Sequence, residues 1–333
     1  MDKIAIIGMG VVGASLGQAL KNIRLKKTEV VAYTPDKTIS NSLKKLAAFD
    51  SVEQNFGTAV SGAQLVVIDA SMEDTRNYLQ TIGEHLPNGS VVTDLGMSKK
   101  LCAAWASEYL PSNVHYIAGR PILKNPPSLI ENANGDIFKN TNYCIATTGK
   151  PNDNSVQILT GLTEAIGAKP YYIDVDEHDS YAAAMEQLPV ILSASFVNAT
   201  TGSDAWNEMN KTAGYTFSEQ SSLVDQDPVD LETQSLTLST PLVHWIDQTI
   251  MALHKIRTEL ESESDELLES FINAWEQRAR WETNSINTES NAVEMPTAGM
   301  SMTSALLGDK LAQRLNRLGD ENKRNSWQYP RDR

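Results

Sequence analysis

The stretch Gly8-Met9-Gly10-Val11-Val12-Gly13 decides the fold of this chain because of the segments that flank it. Residues 3–7 form an apolar run typical of a buried strand, and residues 11–23 have the periodicity of a helix. A second apolar run at 29–33 follows at the distance expected of a strand–helix–strand unit. In that setting the G-x-G-x-x-G spacing predicts a dinucleotide-binding turn rather than a glycine-rich loop without a ligand.

The residues of this turn have predicted roles at the phosphates. Gly8 permits the tight turn, Gly10 lets the backbone approach the pyrophosphate, and Gly13 lets the helix pack closely on the strand. The helix N-terminus then presents free N–H groups and the positive end of its dipole to the phosphates. The predicted cofactor contacts from this turn are Gly8, Met9, Gly10, Val11, Val12 and Gly13.

The end of the second strand bears on the ribose of the cofactor. NAD enzymes usually place an acid there to hold the 2′-hydroxyl, but alignment puts Thr34 at this position. Thr34 and Lys37 can instead hold a 2′-phosphate, whereas Asp36 can still serve as the ribose acid. This pattern favours NADP and leaves NAD open. Ala70 and Ser71, at the end of a later apolar run, are further candidate cofactor contacts.

The rest of the first half continues the alternation of strands and helices. Such alternation predicts an α/β Rossmann-type domain with a doubly wound parallel sheet covered on both faces, and we assign it to residues 1–172. The predicted strands are 3–7, 29–33, 64–70, 90–94, 114–118 and 142–147, the last of which closes the series. The predicted helices are 11–23, 40–49, 74–85 and 99–109.

Long helical periods replace the strands after about residue 173. They predict an all-α C-terminal domain over 173–318 and a polar, disordered tail over 319–333. Its predicted helices cover 178–200, begin at Pro241 and at 264–266, and cover 301–318. The polar segment 202–227 is interpreted as a loop beside a site or an irregular helix pair. Apolar stripes on these helices favour a homodimer that forms through this domain.

The composition restricts the partners of the protein. A net charge of −14 over 333 residues argues against a broad surface for nucleic acid or anionic membranes, though not against a small anionic substrate. No apolar run approaches the roughly 20 residues of a membrane span, and no signal peptide is visible. Cys102 and Cys144 lie far apart without metal-ligand spacing, so we expect reduced, buried thiols, no metal site and a cytoplasmic location.

Several segments carry sequence motifs that occur together in one known protein family. Thr93-Asp94-Leu95-Gly96-Met97-Ser98-Lys99 resembles its D-x-x-S-x-K motif, and residues 118–122 lie where the family has G-G-H-P-M. Residues 137–140 resemble L-F-E-N. Glu177-His178-Asp179 and the later Glu186-Gln187-Leu188-Pro189 resemble E-H-D and S-H-L-P, and residues 305–308 resemble a late segment of the family. These segments resemble the prephenate and arogenate dehydrogenase family, and the likeness is good over about residues 1–200 and weak beyond.

The resemblance implies a Rossmann domain followed by a helical dimerisation domain. It also implies NAD or NADP as cofactor and the oxidation of a ring hydroxyl while a carboxylate leaves. In that family the histidine of G-G-H-P hydrogen-bonds the reacting hydroxyl, and the serine of D-x-x-S-x-K supports this histidine. A second histidine, in S-H-L-P, and an arginine of the helical domain hold the substrate.

This chain departs from the family pattern at those residues. Arg120 replaces the first histidine and Gln187 the second, and residues 215–222 lack the arginine, while we interpret Ser98 and Lys99 as the retained serine and lysine. Arginine cannot accept a proton at neutral pH, since its pKa is above 12. The acid–base step of the family therefore cannot run through position 120, although the scaffold is preserved.

The candidate site residues each have a functional and a structural interpretation. Ser98 is a hydrogen-bond donor to the substrate or an N-cap, and Lys99 is a substrate cation or a solvated helix residue. Arg120 offers a planar fork for a carboxylate or forms a structural ion pair. Gln187 can hydrogen-bond a substrate in the cleft.

Two groups of polar residues in the helical half are secondary candidates. His178 and Asp179 are interpreted as a capping and interdomain pair rather than catalysts. Asp204, Tyr215 and Glu219 lie in the segment after the first long helix and can contact a substrate.

The leading hypothesis is an NAD(P)-dependent oxidoreductase that has diverged from this family and acts on a different small substrate. The alternatives are a cofactor-binding dimer without turnover that serves as a sensor or scaffold, and an enzyme related to imine reductases or β-hydroxyacid dehydrogenases.

Overall fold

The computed structural model describes residues 3–23, 27–147 and 152–283. The chain divides into two compact units, Met1–Leu253 and a second that begins at His254. The helix predicted over 301–318, the tail over 319–333 and the family-like segment 305–308 lie outside the described residues.

A six-stranded parallel sheet forms the centre of the first unit. Its strand order is β3-β2-β1-β4-β5-β6, the doubly wound arrangement that the sequence predicts. Gly8 ends β1 and lies next to Asp69, the last residue of β4, so the glycine turn opens at the carboxyl edge of the sheet. The strands are Lys3–Gly8 (β1), Glu29–Tyr33 (β2), Ser51–Glu53 (β3), Leu65–Asp69 (β4), Val91–Asp94 (β5) and His115–Tyr116 (β6).

Helices cover both faces of this sheet. Ile4 and Ile6 of β1 enter one hydrophobic cluster and Ala5 and Ile7 the other, as alternation along a strand requires. Both clusters are built mainly from fully buried aliphatic side chains, which explains why the strands appear in the sequence as near-continuous apolar runs. The helices are Val11–Ile23 (α1), Lys37–Leu46 (α2), Phe56–Val60 (α3), Met72–Ile82 (α4), Lys99–Tyr109 (α5) and Asp153–Ala165 (α6).

A separate three-stranded sheet corrects two predictions. The strand predicted over 114–118 is in fact two, because β6 ends at Tyr116 and Ala118–Pro121 (β7) pairs with another sheet. Asn142–Thr147 (β8) is confirmed but does not close the series, since Lys169–Asp174 (β9) pairs parallel to it. β9 was missed because most of its side chains are exposed and leave no buried apolar run. β7 pairs antiparallel to β8, so not every strand of the domain is parallel.

The helical half begins at Val175–Ala182 (α7), followed by a π-helical turn at Ala183–Gln187 and by Leu188–Thr201 (α8). The single helix predicted over 178–200 is therefore interrupted. The segment 202–227 is the irregular alternative that the sequence left open, with short helices at Trp206–Met209 (α9) and Tyr215–Ser221 (α10). Pro228–Thr237 (α11), which was not predicted, comes next.

The last described helices are Ser239–Glu261 (α12) and Glu266–Glu282 (α13). Their starts agree with the predicted starts at Pro241 and 264–266 to within two residues. Within the described ranges, none of the helices combines the length and the apolar character that crossing a membrane requires.

Candidate functional site

A cavity of about 370 Å³ opens where the glycine turn meets the end of β4. Seven of the predicted cofactor contacts line it, and the remaining four, Val11, Val12, Gly13 and Lys37, are described residues that lie outside its lining. We call this space the glycine-turn cavity. Its lining residues are Gly8, Met9, Gly10, Thr34, Pro35, Asp36, Ile39, Asp69, Ala70, Ser71, Asp74 and Tyr78.

The glycines of the turn are required by close backbone approach. Gly8 has a φ of +96°, and a Cβ there would lie 2.4 Å from the carbonyl oxygen of Asp69. Met9 also has a positive φ, 79°, so the turn is tightly wound at two successive residues. A side chain at Gly8 would therefore distort the edge of the sheet where β1 and β4 meet.

Asp69 is a residue of this cavity that the sequence analysis missed. Its carboxylate accepts a hydrogen bond from the amide of Gly13 at 2.5 Å, and a Cβ on Gly10 would lie 2.8 Å from its Oδ2. Burial raises the pKa of the Asp69 carboxyl, against the opposing influence of the amides of Gly13 and Gly10. The signal was available, because an acid directly ends the apolar run Leu65–Asp69.

The candidate ribose contacts Thr34 and Asp36 also line the cavity. Thr34 is almost fully buried, and Asp36 is the N-cap of α2. The Asp36 carboxylate accepts from the amides of Thr38 at 2.6 Å and Ile39 at 3.1 Å. One oxygen of Asp36 is therefore already engaged in capping, while Lys37 begins α2 outside the lining.

The N-terminus of α5 is closed by two side chains. Ser98 is its N-cap, since its Oγ accepts from the amide of Leu101, and the same hydroxyl donates to Asp179 at 2.6 Å. Asp179, on α7, also accepts from the backbone amides of Lys99 at 2.7 Å and Lys100 at 3.2 Å. The capping interpretations of Ser98 and of Asp179 are both confirmed.

The Asp179 carboxylate is ionised in this setting. Burial opposes its charge, but hydrogen bonds from His178, Ser98 and the Lys99 amide outweigh burial and lower its pKa. His178 has the opposite balance: burial lowers its pKa although its Nδ1 lies 3.0 Å from Oδ1 of Asp179. The imidazole is therefore neutral near pH 7 and is oriented by a carboxylate.

Lys99 is fully buried, so its interpretation as a solvated helix residue is wrong. Its Nζ donates to the carboxylate of Asp94 at 2.7 Å and to the carbonyl of the same residue at 3.1 Å. The Asp94 carboxylate also accepts from the hydroxyl of Tyr116 and, at 2.8 Å, from the amide of Gly96. Lys99 is thus held inside the protein at the end of β5.

Arg120 lies on β7 and forms an ion pair with Glu186 at 2.5 Å. Its second nitrogen, Nη1, lies 3.1 Å from the sulfur of Met97. Counting from Asp94 corrects the motif register: the serine of D-x-x-S-x-K falls on Met97, and Ser98 occupies an unspecified position. Arg120 therefore replaces the family's histidine and Met97 replaces the serine that supports it, and these two residues are in contact with each other.

Gln187 is buried against α11 within the helical half. Its amide nitrogen donates to Gln234 at 3.1 Å, and its oxygen accepts from Ser235 at 3.4 Å. The three loop candidates Asp204, Tyr215 and Glu219 are exposed. The structure thus brings Ser98, Lys99 and Arg120 to one region, and it holds Gln187 in contacts with a neighbouring helix.

The cysteines match their prediction. Cys102 and Cys144 are buried and unpaired, and burial raises the pKa of both thiols, that of Cys144 to about 11. In the ranges 3–23, 27–147 and 152–283, no cluster of His, Cys, Asp and Glu side chains suits a metal ion.

Comparison with known proteins places both halves in one family. Residues 16–172 match the family model described as prephenate dehydrogenase, nucleotide-binding domain, and residues 174–274 match prephenate dehydrogenase, dimerization domain. The prephenate dehydrogenase of Bacillus subtilis is 24% identical over 269 residues, which are 80% of this chain and 72% of that protein. The cyclohexadienyl dehydrogenase of Zymomonas mobilis is 21% identical and covers 84% of this chain and 96% of its own length.

A solved structure shows the same fold. It is the prephenate dehydrogenase from A. aeolicus in complex with hydroxyphenyl propionate and NAD+. It aligns with a TM-score of 0.77 at 17% identity and covers 84% of this chain and 98% of that one.

Proposed function

Because this chain belongs to the prephenate dehydrogenase family, we propose that it is a nicotinamide-dependent oxidoreductase with an altered substrate site. The substrate is a small molecule that bears a carboxylate, and Arg120 is the residue that binds it. The observation that supports this proposal is the contact of Arg120 with Glu186 and Met97, because the family resemblance leads us to expect a histidine at position 120.

The backbone that lines the glycine-turn cavity is suited to binding a dinucleotide. Gly8 and Gly10 leave space that a Cβ would fill, and the N-terminus of α1 opens at the same edge. When bound, the nicotinamide supplies hydride transfer. We keep the eleven cofactor contacts predicted from the sequence as candidates for this site, since seven of them line the cavity.

Arg120 is suited to a carboxylate by its geometry. Its side chain is 14% exposed and that of Glu186 is 38% exposed, so the acid is the more solvent-accessible partner of the pair. A substrate carboxylate takes the place of Glu186 and forms two parallel hydrogen bonds with the guanidinium. Because Arg120 cannot accept a proton, it orients the substrate and performs no acid–base step.

Proton transfer needs a different group. We assign it to His178, which is neutral near pH 7 and held by Asp179. Ser98 and Lys99 act as positioning residues, because both are buried in internal hydrogen bonds.

The test is a kinetic comparison at Arg120. Turnover is measured with a panel of keto acids, imines and cyclohexadienyl acids, each with NAD(H) and NADP(H). For the substrate that turns over, Arg120→Ala should raise KM by about 10- to 100-fold, the effect of losing a charged hydrogen-bonding partner. Glu186→Gln is the matched control, since it keeps the guanidinium and removes its competitor, and KM should not rise. An unchanged KM and kcat in Arg120→Ala would show that this residue does not bind the substrate.

A protein that binds the cofactor without turnover is the second candidate. It is favoured by the buried, internally bonded state of Ser98, Lys99 and Gln187, none of which offers a free polar group to a substrate without rearrangement. Tight cofactor binding with no turnover on the whole panel would select this candidate. Turnover of imines alone would select the imine-reductase reading, with a proton donor from the exposed segment that contains Tyr215.

The preference for NADP or NAD is open to a direct test. If Lys37 holds a 2′-phosphate, Lys37→Ala should weaken NADPH binding and leave NADH binding unchanged, as measured by titration of nicotinamide fluorescence.

We propose that the protein forms a homodimer through the helical half. Residues 174–274 match the dimerization domain of the family, and Val243 and Ile250 of α12 are apolar and more than half exposed. Light scattering after size-exclusion chromatography tests it, and a monomer at micromolar concentration would contradict it. The cytoplasmic location stays a prediction.

A further inference from the structure

We propose that the Asp69 carboxyl lies at the phosphate end of the glycine-turn cavity and must be neutral when a dinucleotide binds, so that binding takes up one proton. The inference rests on the proposed function only in requiring that this cavity takes a dinucleotide. It concerns a residue that neither the sequence motif nor the family resemblance marks as functional.

The position of Asp69 is the first argument. The first-turn amides of α1 are the groups that bind phosphate at the N-terminus of a helix. The Asp69 carboxylate accepts the hydrogen bond from the Gly13 amide, and its Oδ2 lies within 2.8 Å of the point that a Gly10 Cβ would occupy. An internal anion therefore lies among the groups that would otherwise meet the pyrophosphate.

The charges around the cavity are the second argument. Every charged side chain among its lining residues is an acid: Asp36 at the start of α2, Asp69 at the end of β4 and Asp74 on α4. The remaining titratable groups that face Asp69 are the hydroxyls of Tyr78 in the lining and of Tyr143 on β8, whose pKa the Asp69 charge helps to raise. No Lys, Arg or His is among these described lining residues to offset a pyrophosphate.

The other two acids of the lining, Asp36 and Asp74, form hydrogen bonds at the starts of α2 and α4 rather than at the start of α1. Asp36 caps α2 with two amides, and Asp74 accepts from the hydroxyl of Ser71 at 2.9 Å at the exposed start of α4. Asp69 is partly buried, and burial raises its pKa, which favours its neutral form. It is also the acid that contacts the helix terminus directly.

The proton balance follows from this geometry. An ionised Asp69 would face the two negative charges of the pyrophosphate in a partly buried space, which is strongly unfavourable. When the carboxyl takes one proton from solvent, its carbonyl oxygen keeps the bond from Gly13 and its hydroxyl donates to a phosphate oxygen. One proton is thus bound with each dinucleotide, and no covalent bond changes.

The experiment measures dinucleotide affinity against pH. NAD+ is titrated calorimetrically into the full-length protein between pH 5.5 and 8.5 at constant ionic strength. NAD+ is used because its pyrophosphate does not titrate in this range, whereas the 2′-phosphate of NADP+ does. For the wild type, Kd should rise by up to about tenfold per pH unit, the slope of one linked proton. Titration at one pH in buffers with different ionisation enthalpies should give an uptake approaching one proton.

Asp69→Asn isolates the residue. The amide oxygen keeps the Gly13 bond and the NH2 group donates to phosphate as a neutral carboxyl would, so we expect a Kd independent of pH and at least about tenfold lower than wild type at pH 8. Asp69→Ala, which removes the charge without the donor, should abolish the slope as well. Asp74→Asn is the matched control: it removes the same charge from the same cavity and should keep the wild-type slope.

The possible outcomes separate this inference from the proposed function. Tight NAD+ binding by the wild type at pH 8 without proton uptake would overturn the role of Asp69 and leave the oxidoreductase proposal intact. Absence of both NAD+ and NADP+ binding by the wild type and by both Asp69 variants across the range would overturn both. Binding by Asp69→Asn at pH 8 where the wild type binds weakly would support the inference even without any turnover.

Discussion

Two helices of the Rossmann domain, α1 and α5, follow strands β1 and β5 of the same sheet, and the N-terminus of each helix is contacted by a carboxylate from another element. Asp69 of β4 meets α1, and Asp179 of α7 meets α5. The two carboxyls have pKa values shifted in opposite directions, that of Asp69 upward and that of Asp179 downward. A carboxyl at a helix N-terminus therefore resists ionisation at α1, where it is Asp69, and favours ionisation at α5, where it is Asp179.

The number of donors explains the difference. Asp179 accepts from the hydroxyl of Ser98, from two backbone amides and from the ring of His178, whereas the Asp69 carboxylate is held mainly by the amide of Gly13. A helix dipole alone does not offset burial of a charge; the hydrogen bonds to the charged form do. The carboxylate of Asp179 therefore stabilises the N-terminus of α5 in its charged form. The protonation of Asp69 at the N-terminus of α1 should instead respond to an anion that binds nearby.

The largest effect is expected at Lys99, the buried cation that the α5 end has and the α1 end lacks. Lys99→Met removes the partner of Asp94 and leaves a buried carboxylate, so the free energy of unfolding should fall by about 3–5 kcal/mol in urea denaturation. The double variant Lys99→Met/Asp94→Asn should recover part of this loss. A loss below about 1 kcal/mol for the single variant would mean that the pair contributes little to the fold.

A smaller loss is expected at Asp179. Asp179→Ala leaves the Ser98 hydroxyl and the first amides of α5 without their acceptor, which should cost about 3 kcal/mol in the same assay. Asp176→Ala is the control on the same helix, because its ion pair with Lys100 is exposed and should be worth less than about 1 kcal/mol. Equal losses in the two variants would show that the buried contacts of Asp179 add nothing beyond a surface charge.

The smallest effect is a difference in pH dependence. The folded-state pKa of Asp69 is raised, so its contribution to stability is present below its unfolded pKa near 3.8 and is lost as pH rises through the folded value. Asp69→Asn should therefore gain stability relative to the wild type as pH rises from 4 toward 8. Asp179 has a lowered pKa, so its contribution is present above its unfolded value and is lost on further acidification. Between pH 4 and pH 8 the unfolding free energy of Asp69→Asn should rise relative to wild type, whereas that of Asp179→Asn should differ from wild type by a constant amount that shrinks only on further acidification.

The sequence predicts those parts of the fold where burial repeats with a simple period. The observed bounds of α1, α5, β2 and β8 are the predicted ones. Buried strands and amphipathic helices are predictable because their buried residues are apolar and recur with a regular period in the sequence. β9 escaped because its surface exposure gives it no apolar run.

The candidate site could be predicted only where its contacts join residues that are close in the sequence. The Gly8 turn and the Ser98 cap depend on residues within a few positions of each other, and both are found as expected. The contact of Ser98 with Asp179 joins residues 81 positions apart, and that of Arg120 with Glu186 joins residues 66 apart, so no local pattern announces either. The interpretation of Ser98 as the serine of D-x-x-S-x-K was wrong, and the sequence itself shows this, since counting from Asp94 puts that motif position at Met97.

The π-helical turn at Ala183–Gln187 accommodates one residue more than an α-helix would. Each residue of an α-helix turns the chain by about 100°, so such an insertion, if absorbed by a regular helix, would rotate everything after it away from its neighbours. By confining the surplus to one wide turn, the chain lets α7 keep Asp179 on α5 while α8 keeps its own packed side. The same turn carries Glu186 to Arg120. Deleting a single residue there would join the two helices in one regular α-helical register and move Glu186 away from Arg120. A one-codon change in this turn would therefore alter the proposed substrate site.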